Sequence, residues 1–258
     1  MRQADTGLPA SFEAAWGLQP RPAKGPKPTL TLERIVDAGV RIAAAEGLAA
    51  VSMARVAKEL DASTMALYRY VTAKDELLAL MVDVALGPPP NPADRDEGWR
   101  EGLRRWAWSC RERMVANVWA LRIPIQGPPT TPNQVAWLEA ALWSLRDTSL
   151  SEEDKASVVL LMSGYARNEA TLTADLAAAG ALSDAGMLDW SGLMRRVTDP
   201  ARFPALHAVL AAGVFDKADP PEKEFGFGLE RILDGIESLL DEVATRHRPG
   251  RRAKPTAG

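Results

Sequence analysis

The sequence predicts an all-helical protein, and two observations support this fold class. Across 258 residues, of which 47% are hydrophobic, apolar residues recur at the three- and four-residue spacing of helices. Ala, Leu, Glu and Arg dominate, and β-branched residues rarely alternate with polar ones, so no strand–turn–strand pattern emerges. A chain of this length can bury a sizeable core and hold one large domain or two smaller ones.

Two helices joined by a tight turn are predicted between residues 52 and 71. Apolar residues recur at helical spacing up to Leu60, two residues interrupt the pattern, and Ser63 opens a second helix that we expect to reach Val71. A helix this short, with aromatic and basic side chains on its free face, suits insertion into the major groove of DNA. With a preceding helix capped by Thr31, the two form a predicted three-helix unit.

The rest of the chain is predicted to continue as helices separated by breaks rich in Pro and Gly. A fourth helix begins at Lys74 and stops at Gly87, and we place the domain boundary within it, after residue 77. About nine to ten helices are expected in all. Those that follow span roughly residues 99 to 118, 132 to 146, 151 to 178 and 222 to 246, with one or two short helices between 187 and 215.

Both ends of the chain have the composition of flexible segments. Pro and Gly are frequent in residues 1 to 28, where Arg21, Lys24 and Lys27 are interleaved, so we expect either a disordered leader or a basic arm that lies along DNA. The predicted domains are an arm (1–28), a helix-turn-helix DNA-binding domain (29–77), a helical domain (78–247) and a disordered tail (248–258).

The last predicted helix has a regular apolar stripe. Its apolar residues follow one another in steps of four and three, as in a coiled coil. An ordinary core-facing helix shows such a stripe, and so does a helix that pairs with a second copy of the chain; we favour the second interpretation. We assign the dimer interface to the helices at 151 to 178 and 222 to 246. Its named residues, all on the last helix, are Phe225, Leu229, Ile232, Ile236, Leu239 and Val243.

No pattern in the sequence predicts an enzyme or a metal site. The two histidines are far apart, there is one cysteine, and no spacing typical of metal ligands occurs. Cys110 shares a helix face with Trp106, so we interpret it as a buried apolar residue rather than a nucleophile. Gly226 and Gly228 lack the strand context of a phosphate-binding loop. We therefore expect no enzymatic activity, no metal and no cofactor.

The location predicted from composition is the cytoplasm. The N-terminus has no apolar stretch of the signal-peptide kind, and no apolar run approaches the ~18 residues needed to span a bilayer. A net charge of −3 argues against a protein coated in nucleic acid, so DNA binding would need a local cationic surface.

One stretch, from residue 30 to residue 86, combines three motifs at fixed distances: SMARVAKEL, LYRYV and KDELL. In this combination it resembles the DNA-binding domain of TetR-family transcriptional regulators. Near the end of the chain, FGFGLERILDGIESLL is similar to the subfamily whose C-terminal domain is of the tetracycline-repressor type. The resemblance implies an N-terminal helix-turn-helix domain followed by a helical domain that binds an effector and dimerises.

The resemblance also implies which residues contact DNA. Residues at the start of the recognition helix would reach base edges, those after them would reach phosphates, and Lys74 matches the family's phosphate-contacting lysine. The two tyrosines also fit partly buried packing, and Lys74 also fits a solvated surface charge. Asp61 stands where Gly is usual, but Asp tolerates left-handed geometry. The predicted DNA-binding residues are Ser52, Thr64, Met65, Ala66, Tyr68, Arg69, Tyr70 and Lys74.

A ligand pocket in the C-terminal domain is implied by the same resemblance. Several Trp with few polar groups indicate an apolar or aromatic effector. The candidate ligand-binding residues, which also fit an ordinary core, are Trp106, Cys110, Met114, Trp137, Met162 and Asn168.

These expectations combine into one functional hypothesis. A homodimer would place its two recognition helices about one DNA turn apart, roughly 34 to 36 Å, on double-stranded operator DNA. A small, mostly apolar effector would tilt the helix from Lys74 to Leu86 and release the repressor. The alternative is a ligand-binding or protein-interaction module of the same fold that no longer binds an operator.

Overall fold

All regular structure that the computed structural model describes is helical, within residues 6–18, 30–90 and 97–246. The all-α fold class is therefore confirmed. The helices are α1 (Ala10–Ala15), α2 (Leu32–Glu46), α3 (Met53–Glu59), α4 (Thr64–Leu67), α5 (Lys74–Leu86), α6 (Trp99–Ala116), α7 (Val118–Leu121), α8 (Pro132–Ser144), α9 (Glu152–Ala178), α10 (Asp184–Val197), α11 (Pro204–Ala211) and α12 (Pro221–Arg246). Two of these, α1 and α7, were not predicted. The basic residues Arg21, Lys24 and Lys27 and the tail 248–258 lie outside the described residues.

The chain divides into two units according to its internal contacts. The first comprises residues 1–93 and 108–141, and the second comprises 94–107 and 142–258. Helix α5 lies wholly in the first unit, so the boundary predicted after residue 77 does not coincide with this division. The physical reason is that α5 buries Leu77 in the same core as α2.

The core of the first unit is formed by apolar faces of α2, α3, α4 and α5. Ile35, Val56, Leu67 and Leu77, one from each helix, are all 0% exposed. Burying each such side chain contributes about 1.5 to 3 kcal/mol, which holds the short α3 and α4 in place although neither would be stable alone.

Side-chain caps set the starts of helices α2, α3 and α4. Thr31 accepts from the backbone N of Arg34, Ser52 from that of Arg55 and Ser63 from that of Ala66, at 3.1 to 3.3 Å. These hydroxyls satisfy amides that have no partner within the helix. The turn between α3 and α4 contains Asp61 at φ 50°, which confirms that Asp takes the left-handed conformation there.

Helix α1 lies within the segment for which a flexible arm was predicted. Phe12 is buried in the core formed by α2 and α5, and Ser11 is only 2% exposed. Trp16, which follows the helix, donates from Nε1 to the carbonyl of Thr130 at 2.9 Å. Residues 10–15 therefore differ from the expected arm, because one buried aromatic side chain provides the tertiary packing that a six-residue helix needs.

A buried carboxylate joins α5 to the start of α8 within the first unit. Asp83 is 5% exposed, and its Oδ1 accepts from the backbone N of Gln134 at 3.0 Å. Asn133 donates from Nδ2 to the carbonyl of Asp83 at 3.0 Å and to Oδ2 at 3.1 Å. Thr131, directly before α8, has a buried hydroxyl without a hydrogen-bond partner among the described residues. Asp83 therefore takes the capping position that Thr131 leaves empty.

In the second unit, α9 packs closely against α12. Tyr165 of α9 stacks on Phe225 of α12 with 5.3 Å between ring centroids, and its hydroxyl donates to the Phe225 carbonyl at 2.7 Å. Gly228 permits this approach, because a Cβ there would lie 2.3 Å from the Tyr165 oxygen. The second glycine of the FGFG motif thus serves helix packing.

Ion pairs also connect α12 to the first half of α6 in the second unit. Arg104 donates from Nε to Glu230 at 2.7 Å, and Arg100 donates to Glu230 at 2.9 Å and to Glu237 at 3.1 Å. Arg100 also reaches Asp234, at 2.5 Å. These groups are partly exposed, so each pair contributes little alone.

Among the described residues, no helix combines the length and the apolar character needed to cross a membrane.

Candidate nucleic-acid interface

The predicted recognition helix is shorter than expected. It ends at Leu67, and Tyr68 to Tyr70 form a turn, whereas the sequence predicted a helix up to Val71. Leu67 and Val71 both point inward, as predicted, and each is 0% exposed. The Leu67 carbonyl accepts from the backbone N atoms of Tyr70 and Val71 at 2.8 and 3.0 Å. This tight turn lets Val71 reach the core without a further helical turn.

The outer side of α4 and of the following turn is exposed. Met65 is 75% exposed, Tyr68 is 42% exposed, and Arg69 is also exposed, while Thr64 and Ala66 are half-buried. Exposure of so large an apolar side chain as Met65 has no benefit for folding. Beside an aromatic ring and a cation, it is typical of a surface that contacts another molecule.

Tyr70 differs from its neighbours. It is half-buried against the core of the first unit, and its hydroxyl donates to the carbonyl of Leu30 at 2.8 Å. This bond uses the only proton of the hydroxyl group. Tyr70 therefore fits the packing interpretation rather than a phosphate contact.

Two further candidates lie at helix starts. Lys74 is the first residue of α5 and is exposed, and Ala73 before it makes no capping bond through its side chain. Glu76 in the first turn instead accepts from the backbone N of Thr72 at 3.2 Å. Ser52 is exposed, and its hydroxyl proton is free to donate because the oxygen acts as the acceptor for Arg55. The structure thus presents Lys74 and Ser52 to solvent.

The six candidate ligand-binding residues are divided between the two units. In the first unit, Cys110 is 4% exposed, Met114 is half-buried, and Trp137 is 3% exposed and donates to the Gly87 carbonyl at 2.8 Å. In the second unit, Trp106 is 4% and Met162 0% exposed. Asn168, also in the second unit, is exposed and so differs from a pocket-lining residue. The pocket predicted among the others stays a prediction.

The predicted dimer seam on α12 is largely buried inside the chain itself. Phe225 is 0%, Leu229 1% and Ile236 3% exposed, so the chain itself already covers them, and their assignment to a dimer interface stays a prediction. Leu239 and Val243 are half-buried. Ile232 is half-buried and lines a surface groove of about 480 Å³.

That groove belongs to an apolar face of α9, a helix that the sequence analysis assigned to the dimer interface without naming its residues. We call it the α9 face; it includes Leu160 and Leu161, which are 75% and 54% exposed. Ser157, Gly164 and Tyr165 complete the lining of the groove with these leucines and Ile232. On α12, Phe227 is also 63% exposed. The sequence signal was present, since α9 is apolar on more than one side, which a helix with only one buried face does not need.

No cluster of His, Cys, Asp and Glu able to hold a metal ion occurs in the part of the chain that the structure describes.

Comparison with known proteins identifies relatives over nearly the whole chain. Residues 35–81 match the family model of bacterial regulatory proteins of the tetR family, and residues 91–240 match that of the tetracyclin repressor-like C-terminal domain. The HTH-type transcriptional repressor DrrR1 of Streptomyces coeruleorubidus is 38% identical over 239 residues, which cover 89% of this chain and 86% of that protein.

Solved structures of a TetR family protein are also similar to this chain. Apo ActR of Streptomyces coelicolor superposes with a TM-score of 0.72 at 29% identity, over 85% of this chain and 99% of that one. ActR in complex with actinorhodin superposes with a TM-score of 0.71 at 28% identity, over 82% of this chain and 98% of that one.

Proposed function

Because the chain belongs to the TetR family of bacterial transcriptional regulators, we propose that it is a repressor that binds operator DNA as a dimer and leaves it when a small effector binds. The relative DrrR1 is named as a repressor, which supports repression rather than activation. The structural observation that supports DNA binding most directly is the exposed group formed by Met65, Tyr68 and Arg69 on and after α4.

Each residue of this surface has a proposed task on DNA. Thr64, Met65 and Ala66 reach base edges, since the N-terminal residues of a recognition helix lie deepest in the major groove. Phosphates are contacted by Tyr68, Arg69, Lys74 and Ser52, which fix the register of the protein on the duplex. Tyr70 holds the turn in place through Leu30.

The test of DNA binding is the salt dependence of affinity for DNA upstream of the protein's own gene. Lys74→Ala should weaken binding for all sequences alike and reduce the slope of log K against log salt by about 1, because one phosphate contact is lost. Lys223→Ala is the matched control, since Lys223 is exposed and bonded to Asp219 in the second unit. Salt-independent binding by the unaltered protein would contradict the proposal.

We place the dimer interface on the α9 face, with a second copy as its occupant. TetR-family regulators form dimers, and the exposed Leu160, Leu161 and Phe227 gain about 25 cal/mol for each Å² of apolar surface that a partner covers. Two α9 faces related by a two-fold axis can cover each other's apolar side chains. The two-fold symmetry of operator half-sites requires such an axis.

Leu160→Asp tests this interface. The variant should be monomeric in light scattering and should lose most of its affinity for DNA, because a single head makes half of the contacts. Leu188→Asp is the control, since Leu188 is 49% exposed on another helix, α10, and does not line the groove. A dimer of normal stability in the Leu160 variant would rule out this interface.

The proposed effector is a small, mostly apolar molecule with aromatic character. Support comes from the actinorhodin complex of ActR, to which this chain is similar over 82% of its length. The effector must bind the DNA-free state more tightly, so DNA must weaken effector binding by the same factor. Actinorhodin, followed through quenching of tryptophan fluorescence, serves as the probe. Equal affinity with and without bound operator DNA would contradict this coupling.

A further inference from the structure

Helix α1 is hydrogen-bonded to the start of α5, where the proposed phosphate contact Lys74 lies. Ser11 on α1 is 2% exposed, and its hydroxyl donates to Oε2 of Glu76 at 2.7 Å. The same oxygen accepts from the backbone N of Thr72 at 3.2 Å, and the Thr72 hydroxyl donates to Oε1. Lys74 stands between Thr72 and Glu76 in the chain, so the carboxylate holds the backbone on both sides of it.

This arrangement replaces an ordinary helix cap. Ala73, at the capping position of α5, has no side-chain oxygen, and Glu76 takes over by accepting from Thr72, one residue earlier. Burial raises the pKa of Glu76, but hydrogen bonds from Thr72 and Ser11 outweigh it and leave the pKa below its ordinary value. The carboxylate is therefore charged, and it accepts strongly from all three donors.

Helix α1 is itself anchored at two further points. Phe12 lies in the core of the first unit, and Trp16 donates to the Thr130 carbonyl at 2.9 Å. Because α1 is held in place, Ser11 does not move with Glu76 and can limit the rotation of the Glu76 side chain. A carboxylate with three fixed donors has little freedom to rotate.

We propose that Ser11 is a positioning residue for DNA binding, acting through Glu76 to fix the direction in which Lys74 is presented to the phosphate backbone. The inference rests on the proposed DNA-binding function. Because this turn is already ordered, DNA binding does not lose conformational entropy in fixing the backbone from Thr72 to Lys74. The affinity for DNA is therefore higher.

A double-mutant cycle in the full-length protein tests the proposal, with duplex DNA from upstream of its own gene as the probe. Ser11→Ala should weaken DNA binding about three- to tenfold. This corresponds to losing part of the free energy of one hydrogen bond to a charged group. The salt slope of Ser11→Ala should move towards that of Lys74→Ala. In the double variant, the loss should equal that of Lys74→Ala alone, because Ser11 acts through Lys74.

Ala15→Ser is the control within α1. Ala15 is exposed and takes no part in the contacts of α1 with Glu76, Thr130 or the core, so DNA affinity should stay at the level of the unaltered protein. Phe12→Ala, which detaches α1 from the core, should reproduce the DNA defect of Ser11→Ala with a lower melting temperature.

Three outcomes would overturn the positioning role. They are unchanged affinity and salt slope in Ser11→Ala, a lower melting temperature in Ser11→Ala without any DNA defect, and additive losses in the double variant. In each case the unaltered protein still binds DNA, so the proposed function stands. Failure of the unaltered protein to bind would refute that function and this inference with it.

Discussion

Replacing Gly228 with alanine should destabilise the packing of α12 against α9. The added Cβ would lie 2.3 Å from the Tyr165 oxygen and 2.8 and 2.9 Å from two carbons of its ring. Ordinary contact begins at about 3.5 Å, so the ring must move by roughly 1 Å. Such a shift breaks the 2.7 Å hydrogen bond to the Phe225 carbonyl and disturbs the stacked rings.

The expected magnitude follows from three terms. Overpacking costs about 1 to 3 kcal/mol, and the lost hydrogen bond costs about 0.5 to 1.5 kcal/mol. Against these, alanine gains about 1 kcal/mol over glycine within a helix. Gly228→Ala should therefore lower the free energy of unfolding by roughly 2 kcal/mol.

Urea denaturation measures this free energy, with all variants at one protomer concentration because a dimer's stability depends on it. The matched control is Gly192→Ala in α10, where the nearest atom to the added Cβ is 3.5 Å away, so a gain of up to about 1 kcal/mol is expected. Combining Gly228→Ala with Tyr165→Ala should remove the overpacking cost. If Gly228→Ala proved as stable as Gly192→Ala, the reasoning would be refuted.

Three other measurements follow from local chemistry. Asp61 has φ 50°, so Asp61→Ala should be about 1 kcal/mol less stable than Asp61→Gly in urea denaturation, and equal stabilities would argue against a left-handed turn. The hydrogen bond from Arg104 holds the pKa of Glu230 below its ordinary value. Glu230 thus contributes stability that is present above its unfolded-state pKa of about 4.3 and is lost as pH falls through its folded-state pKa. Glu230→Gln should show a smaller loss of stability on acidification than the unaltered protein, and identical acid profiles would exclude this role. Burial raises the pKa of Cys110 to about 12, so a thiol reagent at mildly alkaline pH should label the folded protein far more slowly than the unfolded one; equal rates would contradict its burial.

The starts of the early helices were predictable because capping is a local interaction. Thr31, Ser52 and Ser63 each bond an amide three residues later, and that spacing is visible in the sequence. The turn that ends α4 is also held by a bond from the Tyr70 hydroxyl to the carbonyl of Leu30, forty residues away, which no local pattern reveals. Helix α1 escaped prediction for a similar reason, since its stability depends on the burial of Phe12.

The apolar stripe on α12 shows a different limit of sequence patterns. Steps of three and four residues identify the face of a helix that is buried, but they do not identify the partner that buries it. Here Phe225, Leu229 and Ile236 face the interior of their own unit, and the exposed apolar face lies on α9. Exposed Leu160 and Leu161 could be recognised only once the structure showed which side of α9 was already covered.

The cap that α5 provides for α8 links the local order of the two helices. The Gln134 amide at the start of α8 is protected by Asp83, which belongs to another helix, while the hydroxyl of Thr131 has no hydrogen-bond partner within residues 6–18, 30–90 and 97–246. A displacement of α5 by even an ångström would expose the Gln134 amide to solvent and loosen the first turn of α8. Hydrogen exchange at that one amide would thus report the movement of a helix to which it does not belong.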